Sequence, residues 1–548
     1  MSKEKTPVPQ NKTPPRQSIW QPLANKLFLA VWLATLVSNI GTWMNDLGAA
    51  WLMTSMTTSP VMVALVQTAT TLPIMLLAIP AGALADIVDR RRYLLATQIW
   101  MFVSASGLLF CTLSGLTTGW VLVLFTFLLG CGTAMSMPAW SAVTPELVGK
   151  KELHAAITLN GLGVNISRAI GPAVAGYLIT LYGVPSVFLA NTISFLGVIV
   201  VIACWKRTPS ESGLPAERCL GAMRSGLRYA RYSSLLPSIL VRGIGFFPFA
   251  SALWALLPIL VSQRLHAGSS VYGLLTACIG LGAVTIAFVL PRIRQRIHSD
   301  NLVRLATLAY GGASAVLAVQ DNLYVLLPVM LLAGAAWICV MSSLQVAAQS
   351  SLPDWVRARG LSVFMMVFMG GMAGGSLLWG YLAKRYGIET SFLIAAAGLI
   401  VSIFLTWRYR IGGYDDVDFT PSMHWPLPIV DQTPEHDKGP VLVTIEYTVA
   451  SDKFREFHDG LQHLKKIRKR DGAYFWQVFQ DTAKADHYIE CFMVESWLEH
   501  LRQHERVSVS DRVLEDRIGA CLAAGESKKI NHYVAPGYAK KAKRKLKR

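Results

Sequence analysis

The sequence predicts an all-α polytopic membrane protein built from two six-helix bundles, followed by a small soluble α+β domain. Three observations predict it. Apolar runs of roughly 20 residues, each enough to cross a bilayer at 1.5 Å per residue, recur between Leu27 and Arg408. Basic residues crowd into alternate loops between those runs. Short segments of the first half return in the second at a fixed spacing.

The bulk numbers agree. Of 548 residues 53% are hydrophobic and 15% charged, with a mean hydropathy of +0.41, whereas a soluble domain carries about 25% charged residues. The formal charge of +18 sits in loops and in the last residues, Lys540 to Arg548, where it serves contact with anionic lipid rather than nucleic acid. The eight cysteines are scattered singly with no CxxC pair, so neither a disulfide framework nor a metal site is signalled. Residues 1–26 are polar and proline-rich, lack a cleavage site before the first apolar run, and read as a retained cytoplasmic segment.

Twelve spans are expected, at 27–53, 61–85, 94–115, 119–141, 155–181 and 184–205, then 236–262, 271–291, 302–319, 323–350, 360–383 and 387–408. One set of loops holds Arg90 to Arg92, Lys150 and Lys151, the basic residues of 206–231, Arg292 to Arg296, Arg357 and Arg359. The other holds Arg264, Lys384 and Arg385. The positive-inside rule then places both termini and the central loop 206–235 in the cytoplasm of a multi-pass inner-membrane protein. Within that loop Leu220, Met223, Leu227 and Ala230 share one helical face and Arg224, Arg228 and Arg231 the other, as in a helix lying on the membrane surface.

The two bundles, 27–205 and 236–408, repeat each other. Gly176-Tyr-Leu with Tyr182-Gly183 returns as Gly380-Tyr-Leu with Tyr386-Gly387, and the same offset lays Gly171 on Gly375 and Arg90 and Arg92 on Arg294 and Arg296. Parallel six-helix repeats are the plan of the major facilitator fold, with a substrate cavity between the halves near mid-membrane.

Two motifs fit that plan. Gly82-Ala-Leu-Ala-Asp86-Ile-Val-Asp89-Arg90-Arg91-Arg92, between spans 2 and 3, resembles the signature loop of major facilitator transporters. A small residue at Gly82 permits close helix approach, and Asp86 suits the positive N-terminus of a neighbouring helix. The resemblance implies that this neighbour is span 11 and that the contact latches the outward-open state. The counterpart Pro291-Arg-Ile-Arg-Gln-Arg296 lacks the acid. In span 5, Arg168-Ala-Ile-Gly171-Pro172-Ala-Val-Ala-Gly176 resembles the antiporter motif of exporters, with Ala175-Gly176 where a glycine pair is common. Proline and glycine inside a span permit a bend and tight packing.

Asn39-Ile-Gly-Thr-Trp-Met-Asn-Asp46, the triple-arginine loop, the run from Asn165 to Pro172, and Glu495-Ser-Trp-Leu-Glu-His-Leu-Arg-Gln-His-Glu-Arg506 together resemble the enterobactin-exporter-like branch, the transmembrane secretion effectors. That resemblance implies proton-driven export of a small molecule such as a siderophore or drug. Charges inside lipid each cost about 2.5–3.5 kcal/mol near the middle of a span, which singles out Asp46 and Arg168 as candidates for proton coupling, substrate contact or a structural ion pair. Asn39 and Asn165 are further candidates, and Arg242 lies close enough to the end of span 7 to snorkel.

Residues 409–440, with five prolines between 421 and 440, read as an extended linker. A strand at 441–449, a helix at 451–467, strands at 474–480 and 487–494, a helical stretch at 496–523 and a strand at 528–534 give βαββαβ, a ferredoxin-like order for 441–535, with a basic tail at 536–548. It resembles the dimeric α/β barrels related to antibiotic-biosynthesis monooxygenases. Tyr474, Phe475, Trp476 and Phe479 are expected on the sheet's packing face. His500 and His504 lie four apart on a helix, but HExxH needs Glu where Leu501 stands, so no metal is expected.

The expectation is a secondary active exporter, with small molecule, protons and bilayer as partners, no cofactor, and self-association or regulation by the tail. The alternatives are an importer or facilitator on the same fold, or an enzyme in the tail anchored by the bundle. An ATP-driven pump is disfavoured, since Gly149-Lys150-Lys151 lacks the upstream Gly and the hydroxyl of a phosphate loop.

Overall fold

Twelve helices long and apolar enough to cross a membrane are present in the computed structural model, which describes residues 20–149, 152–205, 219–353, 355–412, 418–422, 424–425 and 438–535. The first six are α1 (Lys26–Met56), α2 (Pro60–Ile87), α3 (Arg90–Leu113), α4 (Gly119–Leu147), α5 (Leu153–Tyr182) and α6 (Pro185–Cys204). After the shorter α7 (Cys219–Tyr232) come α8 (Leu236–Ile259), α9 (Ser269–Arg296), α10 (Ser299–Val319), α11 (Leu323–Ser350), α12 (Arg357–Tyr386) and α13 (Ile388–Leu405). One turn of π-helix, Leu260–Arg264, extends α8.

Local chemistry fixes the ends. Asn25, Asp89, Thr118 and Asn322 cap α1, α3, α4 and α11 through side-chain oxygens that accept from first-turn N–H groups. Gly183 and Gly387, at φ 78° and 87°, close α5 and α12 in a backbone region that suits glycine.

Those two helices match along their whole length at an offset of 204 residues, as Leu153–Tyr182 and Arg357–Tyr386. The offset is not uniform. At the ends of α2 and α9 it is 209, so Arg294 and Arg296 occupy the last turn of α9 while Arg90 and Arg92 begin α3. The arginine match is thus a shared basic loop and not a shared register.

The end of the bundle that carries Arg90–Arg92 is here termed the basic end, and its opposite the far end. The halves meet through α5 against α9 and α2 against α12. Glycine makes this possible at the far end. A Cβ on Gly176 would lie 2.8 Å from the Ser269 carbonyl oxygen, and one on Gly380 would lie 2.6 Å from the Ala64 Cβ. Gln263 Nε2 donates to the Thr58 carbonyl (3.2 Å), and Thr180 and Ser269 share a hydroxyl–hydroxyl bond (3.1 Å).

α7 is not simply laid on the membrane. Ser225, Gly226, Tyr229 and Ala230 form its buried face, Arg359 Nη1 of α12 donates to Ser225 Oγ (2.8 Å), and Leu227 is exposed. Arg242 does not snorkel: it is 4% exposed, pairs with Asp300 (3.3 Å) and donates to the Tyr409 carbonyl (2.8 Å).

The tail folds as β1 (Val441–Thr448), α14 (Phe454–Asp471), β2 (Phe475–Gln480), β3 (His487–Val494), α15 (Trp497–Arg506), α16 (Val509–Gly519) and β4 (Lys529–Val534). The antiparallel order β2-β3-β1-β4 is ferredoxin-like. The single helix expected over 496–523 is two. Ser508 and Asp511 form a reciprocal capping box that starts α16, a four-residue signal already present in the sequence. Strand alternation turns Val441, Val443, Ile445 and Tyr447 to the core. Of the four aromatics expected to pack, only Trp476 is buried. Tyr474, Phe475 and Phe479 are exposed, because β2 is an edge strand and period two turns Phe475 and Phe479 to the helix-free face. The linker residue Pro421 bridges to Ser508, so this part of the linker is fastened along the tail.

Candidate functional site

Between the halves lies a cavity of about 250 Å³. Asp46 enters it from α1, Gln67 and Thr70 from α2, Arg168 from α5, Trp254 from α8, Tyr272 from α9, Trp337 from α11 and Phe368 from α12. Both halves therefore contribute to one wall-to-wall site. Trp43 faces Trp254 across it (ring centroids 6.1 Å apart), and Trp51 stacks on Tyr272 (6.0 Å).

α1 packs beside α5 because Gly171 leaves room: a Cβ there would stand 2.6 Å from the Trp43 Cβ. The same contact sets Arg168 beside Trp43, its guanidinium 5.6 Å from the ring centroid. Among the described residues no ion pair within 4.0 Å involves Asp46 or Arg168, and Arg168 Nε and Nη1 are buried without a hydrogen-bond partner. Both side chains are half-buried at the cavity. The arrangement offers one acid and one cation to a shared space, the cation with two nitrogens unpaired.

Pro172 lines the cavity one turn beyond Arg168 and cannot donate a backbone hydrogen bond there. Its own carbonyl lies 2.6 Å from where a Gly273 Cβ would be. Gly171 thus serves packing within the first half, and Gly176 serves packing between halves. Neither role was separable in the sequence.

A larger cavity, about 540 Å³, opens toward the basic end and is lined by α1, α4 and α5 alone, including Trp32, Asn39, Trp140 and Asn160. Asn39 therefore sits in a different space from Asp46, two turns away on the same helix. Asn165 lines neither cavity and donates to the Gly161 carbonyl (3.0 Å).

The signature loop is only partly engaged with other helices. The Asp86 side chain lies outside the described residues. Among the described residues a Cβ on Gly82 would meet nothing within 4 Å, so none of them makes the close approach expected there in this conformation, in which the glycine contacts between halves lie toward the far end. Asp89 caps α3 by accepting from the Arg92 N–H (3.0 Å). Arg90 pairs with Glu146 of α4 (2.6 Å), and Arg91 caps the end of α6 by donating to the carbonyls of Ile202 (3.1 Å) and Ala203. Sequence reasoning missed Trp43, Trp254, Tyr272 and Trp337 as cavity residues, since an aromatic inside an apolar span gives no signal of which way it points.

In the tail, buried charges form closed networks. Arg468 bridges Glu490 (3.3 Å) and Glu515 (2.9 Å), and Arg470 bridges Asp471 and Asp511 (both 2.7 Å). Burial alone would raise the Glu515 carboxyl, but Arg468, His424 and Lys528 hold it down to about 2. Docking to the bundle uses Arg228 of α7 to Glu499 of α15 (3.0 Å) and the Arg506 guanidinium over Trp355 (4.4 Å).

The comparisons with known proteins agree with this geometry. A family model described as transmembrane secretion effector matches residues 17–540. The staphyloferrin A transporter of Staphylococcus aureus is 26% identical over 375 residues, covering 66% of this chain and 90% of that protein. The enterobactin exporter of Citrobacter koseri is 26% identical over 379 residues, 68% of this chain and 89% of that one. Among solved structures, a bacterial homologue of the human lysosomal transporter Spinster superposes with a TM-score of 0.55 at 14% identity, over 71% of this chain and 98% of that one. A D-xylose–proton symporter does so with 0.55 at 15% identity, over 72% and 98%. At such identities these two structures establish the fold. The chain is a multi-pass membrane transporter of the major facilitator fold and belongs to the transmembrane secretion effector family.

Proposed function

We propose that the protein is a proton-coupled exporter of a small anionic molecule of the siderophore class, in the cytoplasmic membrane with both termini in the cytoplasm. The observation that carries this is the cavity shared by Asp46 and Arg168, which form no ion pair with each other. Unused N–H donors on a buried guanidinium suit a carboxylate or a comparable oxygen anion. A carboxyl whose charge is costly in one conformation and stabilised in another can take up a proton on one side and release it on the other. The names of the relatives, staphyloferrin A transporter and enterobactin exporter, supply the substrate class.

The positive-inside rule makes the basic end cytoplasmic. Contacts between halves at the far end then correspond to a state closed to the outside, with the 540 Å³ space as the entry route from the cytoplasm. The loop from Gly82 through Asp86 to Arg92 is assigned to the opposite, outward-open state, where α2 and α12 would close at the basic end. The tail is assigned to self-association through its helix-free sheet face, which exposes Phe475, Phe479 and Tyr533.

The test is proton movement in reconstituted vesicles on addition of substrate. Asp46→Asn should abolish gradient-driven transport while substrate still binds and exchanges downhill. Proton flux in this variant at the parent's stoichiometry would reduce Asp46 to a structural acid. Gradient-driven uptake into right-side-out but not into inside-out vesicles would reverse the direction.

A further inference from the structure

The expectation of no metal weighed only the two histidines of α15. The fold adds a third from a distant part of the chain. His500 and His504, one turn apart on α15, face His532 of β4, and one ring nitrogen from each lies within 4.8 Å of the other two. The register explains why. His532 pairs with Val443, a core-facing position, so its ring points under α15 and not to the open side of the sheet. Its ring centroid is 4.7 Å from that of His500.

The nitrogen geometry suits a shared ion as well as it suits a hydrogen bond between two rings. His500 Nε2 and His504 Nε2 stand 3.3 Å apart. Two ligand nitrogens at about 2.0–2.1 Å from one tetrahedral zinc stand about 3.3 Å apart. On the other edge of His500, Nδ1 faces Gln503 Oε1 at 3.4 Å, an acceptor able to fix Nδ1 as the protonated nitrogen and leave the Nε2 lone pair aimed at the cluster. The remaining side is open: the three rings line a cavity of about 520 Å³ that also holds Tyr447, Arg468 and Asn531.

We propose that His500, His504 and His532 form a three-histidine site for a divalent transition-metal ion such as zinc, with its fourth position facing the tail cavity. Three imidazoles with an open position suit zinc, cobalt(II) or iron(II) and disfavour calcium or magnesium, which take oxygen ligands. The same helix carries Glu499 and Arg506, which dock the tail on the bundle. Ligands and docking contacts therefore share one rigid element.

The test is cobalt(II) titration of the full-length, chelator-treated chain in detergent, carrying no affinity-tag histidines. One cobalt per chain, with the intense visible bands of a four-coordinate site and loss of those bands on adding one equivalent of zinc, is the expected result. His532→Gln, half-buried and distant from the helix caps, should weaken binding about 100-fold. His504→Gln should do the same, with each variant's far-ultraviolet spectrum unchanged. Absence of a four-coordinate spectrum in the parent, or parental affinity in both variants, overturns the site. Neither readout involves transport, so failure here and failure of the export reading are separately visible.

Discussion

The bundle and the tail treat buried charge in opposite ways. In the tail, Arg468 and Arg470 are almost fully enclosed by carboxylates, each cation bridging two acids. In the cavity of the bundle, Asp46 and Arg168 border one space without pairing, and two guanidinium nitrogens go unused. Closed networks fix a single structure, because removing any member strands the rest. Open ones store bonding capacity that something arriving from outside must satisfy. The contrast fits the proposal that the tail's charges hold structure and the cavity's charges meet what is transported. The bundle's own exception supports the division: Arg242, pinned by Asp300 and the Tyr409 carbonyl at the basic end, lies away from the cavity.

The two halves of the bundle differ in a related way. α5 and α12 are the same length at one offset, yet Met372 stands where α5 has Arg168. The second half lines the cavity with Trp254, Trp337 and Phe368, joined in turn to Phe246, Phe247 and Tyr310 by ring contacts. The repeat preserves the frame, while the cavity's acid and cation sit in the first half against an aromatic wall.

The largest expected effect breaks the comparison if it is false. The same substitution, arginine to methionine, should have opposite consequences at the two sites. Arg468→Met leaves buried Glu490 without its cation and takes the nearest one from Glu515, and should destabilise the tail by about 3–5 kcal/mol, read as loss of its cooperative thermal transition. Arg168→Met removes a cation that no described acid pairs with, and copies the residue of the second half. Its melting temperature should stay within a few degrees of the parent, and transport should fall about 100-fold, the effect of a charge-assisted bond of about 3 kcal/mol. Equal destabilisation by both would show Arg168 to be structural.

Next in size is a glycine between the halves. A Cβ on Gly280 would stand 2.6 Å from both the Ala169 Cα and the Arg168 carbonyl oxygen, backbone atoms that cannot swing away. Gly280→Ala should cost this conformation about 1–3 kcal/mol and shift the population toward the state open at the far end. A cysteine placed at Thr180 should then react faster with a membrane-impermeant maleimide, by at least fivefold. An unchanged rate would mean that α5 and α9 stay together through the cycle.

Much of this was legible in the sequence, and the limits have physical causes. Span number and order followed from apolar length, and the ferredoxin-like order from strand alternation, because both depend on local periodicity. Asp46 and Arg168 stood out because charge in lipid is costly. Their sharing a cavity without pairing did not, since helix rotation is set by contacts such as Gly171 on Trp43. His532 was invisible as a partner of His500 because strand register is a tertiary fact. Arg242 misled because a position near the end of a span says nothing about Asp300, 58 residues on.

Acid should separate the two regions by about 2 kcal/mol. His500 is 1% exposed and burial pushes it down to about 3 in the folded tail, against about 6.5 when unfolded. Below 6.5 the unfolded chain gains a proton that the folded one refuses, so this stability is whole above that value and is lost as pH falls toward 3. Between pH 7 and 5 the metal-free tail should lose on the order of 2 kcal/mol through His500. Glu515 adds nothing in that window, since its contribution fades only as pH falls from about 4.5 toward its folded value of about 2. Hydrogen exchange at the amides of β1 and β3 measures the loss, and His500→Gln should remove its share while leaving that of His504, which burial likewise pushes down, to about 4.

The smallest expected effect concerns the seam where the regions touch. Two arginines on one face of α7 reach the tail, and the difference between them is burial. Arg228 meets Glu499 at 3.0 Å with both side chains about one-fifth exposed or less, and its Nε also donates to the Arg470 carbonyl (3.3 Å). Arg224 meets Glu495 at 3.6 Å with both well exposed. Solvent screens the second pair, and exposed pairs contribute about 0–1 kcal/mol, whereas the first loses partners on two elements at once. Arg228→Ala should raise hydrogen exchange across α7 by roughly fivefold, equivalent to about 1 kcal/mol, while Arg224→Ala leaves it unchanged. Equal protection in both variants would mean that the apolar face around Tyr229 holds the tail and that the ion pairs only decorate the seam.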